Sequence, residues 1–166
     1  MLEQQSEEGV FIVRVYGFIL NSQKEILIAH EYHFDMPMIK FPGGGLQFGE
    51  GPADALRREL IEELGFELLT GFQFHTTDFF ARSAFNGSHQ VLGIYYLVDG
   101  DAQLEKRFRD PLSHPKANGA YDFRWVGMDE LKSLEMTFPT DRQALQKFID
   151  EVDKGLIRWP EKTGLS

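Results

Sequence analysis

No cysteine occurs in the 166 residues, and that absence excludes disulfide bonds, thiolate metal sites and thiol nucleophiles together. No apolar run approaches membrane-spanning length. The first ten residues, MLEQQSEEGV, are acidic and lack the basic-then-apolar order of a signal peptide. A cytoplasmic location without membrane contact is the expectation. Repeats, linkers and low-complexity tracts are missing too, so the chain reads as one domain over residues 1–166 with a core at about 8–155. Cations are scarce: 17 Lys and Arg against 26 Asp and Glu give a net charge of −9 with no acidic tail, which disfavours long nucleic acid and anionic membrane surfaces as partners. A metal-bound nucleotide stays compatible, because its phosphates meet the cation rather than the average field. The 42% hydrophobic content suffices for a substantial core.

Chemistry concentrates between Gly43 and Phe66, GGGLQFGEGPADALRRELIEELGF. Leu56, Leu60 and Leu64 recur every fourth residue, with Ala53 and Ile61 widening the stripe. Pro52 suits the first helical position and Gly65 the stop, which predicts a helix over about Pro52 to Leu64. On it Glu59, Glu62 and Glu63 are related by three and four residues and project from one side. Like charges so placed repel, unless a cation sits among them. Carboxylate-only ligation selects a hard ion, so Mg²⁺ or Mn²⁺ is expected. Arg58 is placed to orient one acid through a bidentate contact, with Glu50 as its partner. Ahead of the helix, Gly43, Gly44, Gly45 and Gly49 form a loop whose backbone can approach a ligand closely.

The full spacing is Gly44, five residues, Glu50, seven residues, Arg58-Glu59-Leu60, one residue, Glu62-Glu63, one residue, Gly65-Phe66. It resembles the Nudix box at every constrained position, a match whose chance frequency is on the order of one in a billion. The resemblance spans residues 44–66 and implies an α/β fold, a Nudix-type α/β/α sandwich with a mixed β-sheet. It also implies a MutT-like pyrophosphohydrolase acting on a nucleoside diphosphate linked to another group. By the same resemblance Glu59, Glu62 and Glu63 ligate the metal with the Gly43 carbonyl, Arg58 serves catalysis, and Glu59 acts as or beside the general base. Gly44, Glu50 and Gly65 are the structural positions of the box. A further acid comes from Asp122, Glu105 or Asp110. Lack of cysteine weighs against the isopentenyl diphosphate isomerases of this family. ADP-ribose enzymes tend to carry a proline downstream of the box, and none occurs here between Pro52 and Pro111. Elimination therefore favours a nucleoside triphosphate or nucleotide-sugar. A nucleotide-sensing module without turnover is one alternative. Hydrolysis at RNA 5′ ends, helped by a patch of Lys106, Arg107 and Arg109, is the other. Monomer and homodimer are both open.

Elsewhere, residues 10–20 and 25–29 flank Asn21-Ser22-Gln23 and predict a β-hairpin. Arg14 in its first strand either faces solvent or binds phosphate. Residues 31–38 read as a loop before a short strand at Ile39 to Phe41. In that loop Tyr32 and Phe34 either stack on a substrate base or cover the core edge, and Lys40 is similarly open. A strand region covers 66–82, and Asn86-Gly87 turns it into a partner at Gln90 to Val98. His75 and His89 are expected to be packed or hydrogen-bonded. Asp99 to Gly119 reads as a long loop, followed by a strand at Tyr121 to Val126 and a short helix from Met128, as at the end of Nudix domains. Thr140 with Gln143 suggests a capping box for a helix carrying Leu145, Phe148, Ile149 and Val152, stopped before Gly155. Trp159 is expected to dock the tail, and the last residues to fray.

Overall fold

A computed structural model describes residues 9–68 and 70–162. The expected fraying of the last residues and Leu69 fall outside the described residues; the strand expected to start at Phe66 begins instead at Thr70, with residues 66–68 irregular. Chain order is β1 (Val10–Leu20), β2 (Glu25–His33), β3 (Met36–Lys40), β4 (Gly43–Gly45), α1 (Pro52–Leu64), β5 (Thr70–Thr76), β6 (His89–Asp99), β7 (Ala120–Gly127), α2 (Met128–Leu131) and α3 (Pro139–Asp153). The seven strands join in one mixed sheet. Alternation along β1 sends Val15 and Ile19 to a layer with Leu56, Leu60 and Leu64 of α1, and Tyr16, Phe18 and Leu20 to a layer with Leu145, Phe148 and Ile149 of α3. The α/β/α sandwich is therefore the observed fold.

The two helices follow the chain's own signals. α1 starts on Pro52 and ends where Gly65, at φ 70°, donates its N–H to the Ile61 carbonyl. α3 is stopped before Gly155 as expected, but its capping box does not form. Phe138 is the N-cap and Pro139 opens the helix, while Gln143 reaches across to the His75 ring at 3.0 Å. Pro139 at the first helical position sets the start upstream of Thr140. That contact makes His75 the packed, hydrogen-bonded residue anticipated; His89 pairs with Asn86 at 3.1 Å. Trp159 docks edge-on against Phe148 at 5.9 Å.

Strand pairing departs from the expected hairpin. Asn21 closes the turn, accepting N–H groups from Gln23 and Glu25, yet β1 and β2 pair only at Leu20–Ile26. β1 instead runs parallel to β6 over its whole length, and β2 pairs with β7 and β3. Beyond the turn the two strands diverge, and the sheet splits into two wings. β3 lines the inner edge of β2, β4 lines the inner edge of β1, and Phe41-Pro42 crosses between. Competition from these later segments overrides the local pairing. Residues 31–38 are likewise not a loop: β2 and β3 form a hairpin whose two-residue turn, Phe34-Asp35, has φ of 49° and 58°. Its left-handed conformation carries no glycine to announce it. β5 pairs with β6 through register shifts, and the Asn86-Gly87 turn lies between Arg82 and β6, closed by the Arg82–Gln90 bridge. The long loop holds a single 3-10 turn at Leu104–Lys106. No helix among the described residues is long and apolar enough to cross a membrane.

Candidate active site

Both sides of the box meet at the inner edge of β1. Antiparallel pairing sets Gly43 opposite Tyr16 and Gly44 opposite Val15, and α1 lies against this edge from one face. Contact is close enough to exclude side chains. A Cβ on Gly44 would lie 2.3 Å from the Glu59 carboxyl carbon, and one on Gly43 would lie 2.1 Å from the Val15 carbonyl oxygen. These glycines let a carboxylate and a strand approach the same backbone.

Arg58 organises the outer half. Its Nε and Nη2 grip Glu50 at 3.1 and 2.6 Å, Nη2 also reaches the Gly45 carbonyl at 2.9 Å, and Nη1 donates to Glu59 at 2.8 Å and Glu62 at 3.4 Å. The bidentate partnership with Glu50 is as expected. Glu50 is held below the usual carboxylate range by its bond to Arg58, and the guanidinium is held above its own. Glu50 also accepts the Gln47 N–H at 2.8 Å, fixing the loop before the helix. Replacing Arg58 with Lys is expected to lower turnover about tenfold or more although the charge is kept, because one ammonium cannot reproduce this fork. Steady-state rates check it, and an unaffected variant would reduce Arg58 to a surface residue.

Glu63 forms the inner half. Its side chain is 6% exposed, and Oε2 accepts the Gly43 N–H at 2.9 Å. Lys40, 4% exposed, stands 3.9 Å from Oε1 and is clamped at 2.6 Å by Glu31 on the neighbouring strand. Burial pushes the Glu63 carboxyl up to about 7, against the pull of Lys40 and the Gly43 N–H. Burial also opposes the Lys40 charge, but Glu63, Tyr16 and Glu31 outweigh it and hold its pKa above the ordinary value. The Lys40–Glu31 pair was not legible in the sequence, since its partners meet only through the β2–β3 register. Glu31 in a β-rich aromatic stretch was the available signal.

Among the described residues no three acidic or histidine side chains converge as a formed metal shell, because Arg58 occupies Glu59 and Glu62 while Glu63 is turned inward. The donors nevertheless suit a hard divalent ion. All are oxygens, and Glu63 Oε1 is buried without a hydrogen-bond partner.

The other sequence candidates lie outside the box. Lys40 is enclosed, paired with Glu31 at 2.6 Å and 3.9 Å from Glu63. Arg14 is half-buried rather than solvated, donating its Nε to the Tyr16 hydroxyl at 2.6 Å on the α3 face. Tyr32 is half-buried in β2 with its carbonyl bonded to the Gly119 N–H, and Phe34 is exposed at the hairpin turn. Asp122 pairs in register with His30, on the opposite face of β2 from Glu31, and accepts N–H groups from Ser113 and Phe123. Glu105 holds Ser22, and Asp110 is exposed. None of the three is brought to the carboxylates. Arg107 donates to the Leu64 carbonyl and Arg109 pairs with Glu25 at 2.6 Å, so two of the three cations in the anticipated basic patch are already engaged.

The comparisons agree with this geometry. The NUDIX domain family matches residues 10–148. An RNA pyrophosphohydrolase of Bartonella bacilliformis is 23% identical over 155 residues, covering 86% of this chain and 88% of the relative. The crystal structure of a MutT protein from Methanosarcina mazei Go1 superposes with a TM-score of 0.64 at 20% identity, over 89% of this chain and 98% of that one. The NUDIX domain of Shewanella oneidensis NrtR, complexed with ADP ribose, gives a TM-score of 0.56 at 13% identity, over 90% and 89% of the two chains. With the box geometry and the matched span in agreement, the chain belongs to the NUDIX domain family and has the fold of its MutT-like members.

Proposed function

We propose that this Nudix pyrophosphohydrolase cleaves a phosphoanhydride bond in a nucleoside di- or triphosphate derivative, using Mg²⁺ or Mn²⁺. The observation that carries the reading is the buried, unpartnered Oε1 of Glu63 beside two carboxylates that Arg58 holds in place. In this reading Glu59, Glu62, Glu63 and the Gly43 carbonyl hold the ion. Once bound, it neutralises phosphate charge and lowers the pKa of water. Arg58, itself fixed by Glu50, keeps Glu59 against Gly44, and Glu59 accepts the proton of the attacking water. The water oxygen bonds to phosphorus as the bridging P–O bond breaks, and the leaving phosphate departs with the electron pair. No covalent enzyme intermediate is needed. A sensing module has no physical need to keep three carboxylates together against their mutual repulsion, which favours turnover.

Hydrolysis at RNA 5′ ends is the second reading, favoured by the name of the Bartonella relative. The net charge of −9 and the engaged Arg107 and Arg109 weigh toward a small nucleotide. A chromatographic product screen with Mg²⁺ or Mn²⁺ decides. Nucleoside triphosphates, nucleotide-sugars, ADP-ribose, dinucleoside polyphosphates and a 5′-triphosphorylated RNA oligomer are offered in parallel. Metal-dependent release of phosphate or pyrophosphate from mononucleotides is the expected result. Cleavage of the oligomer alone would move the substrate to RNA, and binding without cleavage of anything would support the sensor.

A further inference from the structure

Three phenylalanines from distant parts of the chain meet outside the core. Phe34 in the β2–β3 turn packs tilted against Phe85 of the β5–β6 loop at 4.6 Å and 32°, and Phe85 meets Phe138, the N-cap of α3, edge-on at 5.9 Å and 70°. Phe34 is 60% exposed and Phe85 46%, so neither ring is spent on the interior. Their placement is nonetheless built. Phe34 and Asp35 both hold a left-handed backbone, uncommon for non-glycine residues and rarer still for a bulky one. Asn118 braces the turn, accepting the Asp35 N–H at 3.0 Å and donating to its carboxylate at 3.1 Å. Phe138 is fixed to the same hairpin, because Thr137 exchanges two hydrogen bonds with Ile39 at 2.8 and 2.9 Å. Phe85 donates its N–H to Ser83 Oγ at 3.2 Å.

One strand connects the turn to the carboxylates. β3 runs from Met36, next to the turn, to Lys40 beside Glu63, four residues or about 13 Å of strand. An extended nucleotide with its phosphates at Glu63 reaches along β3 toward the turn. We infer that Phe34, Phe85 and Phe138 form an aromatic platform on whose exposed ring faces the nucleobase of a small nucleotide stacks. The inference rests on the hydrolase reading above and gives the substrate its base subsite. A platform of phenylalanines offers π-faces and no hydrogen-bond donors, so it takes every base and ranks them by stacking area, purines above pyrimidines.

The test is calorimetric titration of the Mg²⁺-loaded protein with adenosine, guanosine, cytidine and uridine 5′-monophosphates and, as the base-free probe, ribose 5-phosphate. Wild type is expected to prefer the purine nucleotides over ribose 5-phosphate by tenfold or more. Phe34→Leu keeps apolar bulk but lacks the π-face; it and Phe85→Leu should bring that ratio close to one while melting temperature and ribose 5-phosphate affinity hold. Phe34→Trp should restore it. An unchanged ratio in the Phe34→Leu/Phe85→Leu double variant overturns the platform and leaves the hydrolase reading standing. Failure of the wild type to bind any of these phosphates overturns both.

Discussion

Glu63→Gln should lower turnover about a thousandfold, equivalent to about 4 kcal/mol of transition-state stabilisation, while leaving the fold intact. Gln can still accept the Gly43 N–H through its carbonyl oxygen, and Lys40 keeps its closer partner, Glu31. What disappears is the negative charge at the unpartnered Oε1. Stability separates this loss from misfolding. The folded-state pKa of about 7 lies above the ordinary carboxylate value, so the folded protein binds an extra proton and ionised Glu63 is a burden that grows as pH rises from about 4.5 to 7. Removing it should stabilise the metal-free protein at pH 8, by up to about 3 kcal/mol, and the difference should vanish below about pH 4.5. Melting temperatures across that range, paired with steady-state rates, provide the check. Near-normal turnover would take Glu63 out of the site.

The second large effect contrasts two adjacent glycines. In Gly43→Ala the new methyl would stand 2.1 Å from the Val15 carbonyl oxygen and 2.9 Å from the Tyr16 Cα, at φ 139°. Both obstacles are backbone of the strand through the middle of the sheet, and neither can move. A loss of about 3 kcal/mol or more is expected, roughly 10 °C in melting temperature for a chain of this size. In Gly44→Ala the obstacle is the Glu59 carboxylate at 2.3 to 2.4 Å, the far end of a flexible side chain. It can swing aside, so melting temperature should fall little and turnover substantially. If Gly44→Ala kept full activity, contact between Glu59 and Gly44 would have no part in the chemistry.

Local order was legible wherever the deciding residues are near neighbours. Pro52 and Gly65 bound α1 because a missing N–H and a permissive φ act on the residue itself. Arg58 and Glu50 are eight residues apart and flank the helix start, so their pairing followed from the same stretch. Non-local pairings were not legible. The hairpin expected of β1 and β2 yields to β4 on β1 and β3 on β2, which take the facing strand edges from later in the chain. Phe34-Asp35 was hidden for another reason: its turn uses a conformation normally signalled by glycine, and Asn118, far along the chain, supports it. Lys40 illustrates both limits, since its carboxylate partners lie on β2 and α1 and its burial is set by neither sequence neighbour.

Divergence of β1 and β2 gives the sheet a seam, and Glu63 is the stitch across it. One carboxylate oxygen takes the Gly43 N–H on the β1 side; the other faces Lys40 on the β2 side. Only Phe41-Pro42 links those anchors along the backbone between β3 and β4. The surroundings of one buried acid therefore register the width of the gap between the wings: widening it draws Lys40 away from Oε1, and narrowing it brings the ammonium closer. Mechanical strain at the seam is written directly into the charge balance of the carboxylate there.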